Sequence, residues 1–64
     1  MNIQINGENR PFSGATLAEW LKDNPPQAPF AVSVNTIFIP KTRYAETALN
    51  EGDKIEIVRP VVGG

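Results

Sequence analysis

The chain contains no His and no Cys among its 64 residues. The commonest general base and the commonest thiol nucleophile are therefore absent. Ser13 and Ser33 remain, but neither stands in a Gly-x-Ser-x-Gly turn, and no base is present to activate them. The seven acidic side chains are scattered, so no all-oxygen metal cage is expected. We expect no catalytic residue, no metal ligand and no cofactor held by this chain. What stands out is the closing run Val61-Val62-Gly63-Gly64. Two glycines carry no side chains, so their backbone can enter a narrow cleft in conformations closed to other residues. Composition alone would end roughly one chain in two hundred this way. The pair gains weight by following a well-patterned strand in a small chain without the usual catalytic groups.

A carboxylate at the tip of such an arm is a poor electrophile. Its charge repels nucleophiles, and oxide is a bad leaving group. Joining it to AMP at the expense of ATP removes the charge and supplies a leaving group. A sulfur nucleophile can then displace AMP and leave a thiocarboxylate. On this expectation Gly64 is the residue modified and Gly63, Val62 and Val61 are the partner-binding tail. The valines would supply apolar anchorage in an enzyme groove.

The rest of the chain must hold that arm. Ile3 and Ile5 alternate with Asn2, Gln4 and Asn6, the two-residue period of a strand with one buried face. Asn6-Gly7 follows, and both residues tolerate the positive φ of a tight hairpin turn. The return strand, Glu8 to Phe12, contains Pro11, which cannot donate a ladder hydrogen bond, and so is expected on a sheet edge. Thr16-Leu17-Ala18-Glu19 has the form of a capping box. Leu17, Trp20 and Leu21 then make one apolar face, and Pro25 forces Asn24 out of the helical region. A helix so short needs a sheet beneath it.

Phe30, Val32 and Val34 mark a third strand, and Ile37-Phe38-Ile39 a brief fourth stopped by Pro40. Lys41 to Asn50 shows no clean period and reads as loop with one helical turn. Gly52-Asp53 launches the last strand, Lys54 to Val58, with Ile55 and Ile57 inward. These elements predict an α+β fold: a mixed four- to five-stranded sheet with one main helix on one face. The last strand is expected at its centre, parallel to the first. The opposite sheet face is left without a helix. By parity Phe38 and Val58 point there and form a possible partner-docking face. Trp20 reads as core, and Lys41 and Arg43 as part of a solvated loop.

The length fits one domain, residues 1–64, with a flexible tail over about 60–64. Six basic and seven acidic side chains give a net charge of −1 with the signs interspersed. No basic stripe suits nucleic acid, and no apolar run suits a membrane. The opening residues lack the features of a signal peptide, so a cytoplasmic location is expected.

Taken in order, several segments resemble the ubiquitin-like sulfur carrier family over the whole length. They are Ile3-Gln4-Ile5-Asn6-Gly7-Glu8, Ala15-Thr16-Leu17-Ala18-Glu19-Trp20-Leu21, Val32-Ser33-Val34-Asn35, and Ile39-Pro40-Lys41 with Tyr44 after it. Leu49-Asn50-Glu51-Gly52-Asp53-Lys54-Ile55-Glu56-Ile57-Val58 and Gly63-Gly64 complete the set. The resemblance is greatest to the carriers of thiamine biosynthesis. It implies a β-grasp, ubiquitin-like fold and a role as a protein cosubstrate for making the thiazole ring, not as an enzyme. It also implies three partners: an E1-like (ThiF-like) adenylyltransferase that uses ATP and Mg²⁺ on Gly64, a persulfide sulfur donor, and a ThiG-like thiazole synthase that receives the sulfur. The same residues leave open a carrier for molybdopterin, tRNA thiolation or cysteine synthesis, a ubiquitin-like modifier, or a plain binding module.

Overall fold

The computed structural model describes residues 1–27 and 29–59. In chain order the elements are β1 (Asn2–Ile5), β2 (Glu8–Pro11), α1 (Leu17–Asp23), β3 (Ala31–Val34) and β4 (Ile37–Ile39), then a 3₁₀ helix (Lys41–Glu46) and β5 (Lys54–Val58). The strands form one mixed sheet in the order β2-β1-β5-β3-β4. β5 lies at the centre, parallel to β1 and antiparallel to β3.

Local chemistry accounts for most of these elements. Asn6 and Gly7 adopt φ of 49° and 86°, the left-handed pair that a two-residue hairpin needs. β2 is an edge strand, as Pro11 requires, and Glu8 and Arg10 make a surface ion pair on it at 3.2 Å. The Thr16 side chain accepts from Glu19 N–H at 3.3 Å while the Glu19 carboxylate accepts from Thr16 N–H, so both halves of the capping box are formed. The Asn24 N–H still bonds to Trp20, and the chain then leaves the helix ahead of Pro25.

The core lies between α1 and the inner sheet face. Ile3, Leu17, Trp20, Leu21, Val32, Val34, Leu49 and Ile55 are buried, with Ile5, Phe30, Ile39, Tyr44 and Ile57 packed around them. Two details differ from the sequence reading. Ile37 shares the inner face with Val34, its register partner, yet is 66% exposed. It sits on the outermost strand, beyond the cover that a helix of seven residues provides. The segment before Leu49 is also more ordered than a loop with one turn, since six residues form the 3₁₀ helix. After it, Leu17 N–H donates to Thr47 C=O at 2.8 Å and Leu49 N–H to Ala15 C=O at 2.9 Å. This antiparallel bridge fastens the segment to the start of α1 and drives Leu49 into the core.

Candidate functional site

Val61, Val62, Gly63 and Gly64 lie outside the described residues. The structure does show how the strand that leads to them is held. Leading into that strand, Asn2 N–H donates to the Glu51 carboxylate at 2.9 Å and Gly52 N–H to Asn2 C=O at 2.8 Å. Asp53 then closes its own turn by accepting from Asn50 N–H at 2.8 Å. Its other oxygen accepts from the Asn35 amide at 3.0 Å, and the Asn35 side-chain oxygen accepts from Lys54 N–H at 3.0 Å. The β3–β4 turn is thus tied to the first residue of β5.

The ladder to β1 then runs through Gln4 N–H to Asp53 C=O at 2.8 Å and Asn6 N–H to Ile55 C=O at 2.9 Å. Ile55 is 1% exposed and pins the strand from within. On the other side β3 accompanies β5 as far as Val58, opposite Ala31. Arg59 is the first residue past the sheet. β5 is therefore a fixed rail, and the chain runs from its end toward Gly64.

Phe38 and Val58 both face solvent, at 64% and 59% exposure. Phe38 lies opposite Ser33 and Val58 opposite Ala31, so both stand on the outer sheet face, away from α1. They are separated by the small side chains of β3 and stand roughly 12 Å apart, two strand spacings across and two residues along. The shallow surface between them is flanked by Glu56, opposite Ser33. Trp20 is 9% exposed and belongs to the core. Lys41 and Arg43 lie on the 3₁₀ helix, where Arg43 approaches Glu46 at 3.4 Å.

Among the described residues no group of three or more acidic side chains is placed to hold a metal. No described helix is long and apolar enough to cross a membrane. A shallow cleft of 630 Å³ beside the second half of β5 is lined by Asn6, Gly7, Lys54, Glu56, Val58 and Arg59, among others. Sequence reasoning took Asn6 only as a turn residue, and did not single out Asn35 or Asp53 for side-chain bonding. Their bonds reach residues 18 to 51 positions away, which no local pattern reports.

One helix laid across a five-stranded mixed sheet, with the last strand central and parallel to the first, defines a β-grasp protein of the ubiquitin-like kind. Residues 3–64 match the ThiS family, and the chain belongs to that family. It is similar over its full length to a crystal structure of the thiamine biosynthesis protein ThiS from Geobacter metallireducens, with a TM-score of 0.84, 26% identity and complete coverage of both chains. It is also 41% identical over 66 residues to a thiazole synthase of Paramagnetospirillum magneticum. The alignment takes in all of this chain but spans only 20% of that relative. A third similarity is to the uncharacterized protein ycf40 of Pyropia yezoensis, 38% identical over 68 residues and covering 100% of this chain and 93% of the relative.

Proposed function

We propose that the chain is a sulfur carrier of thiamine biosynthesis, and that its Gly64 carboxylate is adenylated and then converted to a thiocarboxylate. The observation that carries this reading is the family match, which runs through residue 64 and so includes Gly63-Gly64. The likeness to a thiamine biosynthesis protein supports the pathway. The thiazole synthase relative, which contains a stretch resembling this whole chain, supports thiazole synthase as the acceptor's enzyme.

The chemistry balances with groups supplied by partners. The Gly64 carboxylate attacks the α-phosphorus of ATP, forming the acyl-adenylate and releasing pyrophosphate. The terminal sulfur of a protein persulfide attacks the acyl carbon, and AMP leaves with the electron pair of the broken C–O bond. A second thiol cuts the resulting acyl persulfide, leaving the thiocarboxylate on Gly64 and a disulfide on the donor. ATP and Mg²⁺ are used by the E1-like enzyme. The carrier contributes an arm thin enough to enter that enzyme's cleft and a domain that the enzyme can grip. Phe38 and Val58, exposed on the outer face near the end of β5, are the proposed grip. The location proposed for this chemistry is the cytoplasm.

The test is to incubate the chain with its cognate E1-like enzyme, ATP, Mg²⁺ and a persulfide donor, and to measure intact mass. The expected gain equals the exchange of one oxygen for sulfur, and it should be lost when thiazole synthase and its substrates are added. Attachment to lysines of other proteins would instead identify a modifier. An unchanged mass beside an active enzyme would identify a binding module without acyl chemistry.

A further inference from the structure

β5 has fewer neighbours at its end than at its start. β1 pairs with it only through Ile5, opposite Ile55, because the chain then turns away at Asn6. In a regular parallel ladder the next donor on β5, Ile57 N–H, would meet the backbone carbonyl of the residue at Asn6. The left-handed φ of 49° at Asn6 belongs to the turn, where the strand ends. The Asn6 side chain takes the carbonyl's place, and its Oδ1 accepts from Ile57 N–H at 2.8 Å. Asn6 N–H meanwhile donates to Ile55 C=O at 2.9 Å. One residue therefore grips β5 on both sides of Glu56. Beyond Ile57 no strand flanks this side among the described residues, and the cleft beside Val58 and Arg59 opens there.

We infer that Asn6 is a positioning residue for the carrier chemistry, its Oδ1 fixing the root of the arm that leads to Gly64. The inference rests on the carrier reading above. A root released at Ile57 lets the arm sample more directions, so fewer encounters aim the carboxylate into the enzyme's cleft. The loss falls on binding and not on the chemical step, because the adenylating groups belong to the enzyme.

Two substitutions separate the side-chain bond from the turn. Asn6→Gly keeps the left-handed conformation and removes the acceptor. Asn6→Asp keeps an acceptor oxygen in the same place. In Asn6→Gly the Ile57 amide should exchange with solvent at least ~10-fold faster while Ile55 stays protected, as expected for one lost hydrogen bond. The KM of the activating enzyme for the chain should rise about tenfold, the entropy of fixing roughly one more residue, with kcat unchanged. Asn6→Asp should restore both values toward wild type. The inference is overturned if Ile57 exchange does not change, if KM does not follow it, or if Asn6→Asp behaves like Asn6→Gly. It is also overturned if Asn6→Gly exposes Ile55 together with Ile57, because the effect is then on the whole sheet. Failure of the wild-type chain to be activated at all would count against the carrier reading instead, while the exchange measurement still decides whether Asn6 holds the root.

Discussion

At the scale of single residues, the chain separates groups that react from groups that hold. Deleting Gly64 is expected to abolish formation of the thiocarboxylate, read by intact mass. The thermal midpoint should stay within about 2 °C of wild type, because a terminal glycine contributes almost nothing to a packed core. A large fall in that midpoint would show the tail to be structural. Thr36 illustrates the opposite kind of residue. It has φ of 72° in the β3–β4 turn, where a β-branched side chain is strained. Thr36→Gly relieves that strain and is expected to stabilise the fold by about 1 kcal/mol. In a domain of this size that corresponds to a midpoint about 4–8 °C higher in calorimetry.

At the scale of elements, the segment between β4 and β5 is a strut and not a spacer. Its bridge to the start of α1 satisfies backbone groups of Ala15, Leu17, Thr47 and Leu49, and delivers Leu49 to the core at 4% exposure. Leu49→Ala should therefore cost about 2–5 kcal/mol. That is a large share of the stability available to a domain this small, on the order of 3–10 kcal/mol. Denaturant unfolding that shifted by less than about 1 kcal/mol would return the segment to the status of a loop. The short α1 depends on the same bridge, since its capping box and its apolar face act at one end and one side only. Much of this was legible beforehand. The hairpin, the edge position of β2, the capping box and the alternating strands all follow from residues within a few positions of one another. Leu49 was not, because an isolated apolar residue without a period carries no local sign of where it goes.

At the scale of the whole molecule, one sheet face is spent on the core and the other faces solvent. α1 covers the inner face, and Phe38 and Val58 remain on the outer one. If the activating enzyme grips this face, Phe38→Asp should lower kcat/KM for activation about tenfold or more, the usual scale for a charge placed in an apolar contact. Stability should move by no more than about 0.5 kcal/mol, since Phe38 is already exposed. Steady-state kinetics beside a thermal melt decide the point, and unchanged kinetics would place the grip elsewhere. The arrangement suits a cosubstrate: the rail that directs the arm and the open face lie in the same sheet, so a partner seated on one is in reach of the other.

Local pattern by itself determined the strand periods, the two-glycine arm and the absence of His and Cys. It also placed β5 centrally and beside β1, because the most regular apolar alternation belongs where both neighbours pair with it. Only the tertiary structure decided that Ile37 is exposed despite its inward parity, that Leu49 is core, and that Asn6 bonds to Ile57 across 51 positions. The physical reason is common to all three. Periodicity reports which way a side chain points, whereas burial and long-range hydrogen bonds depend on what another part of the chain brings opposite it.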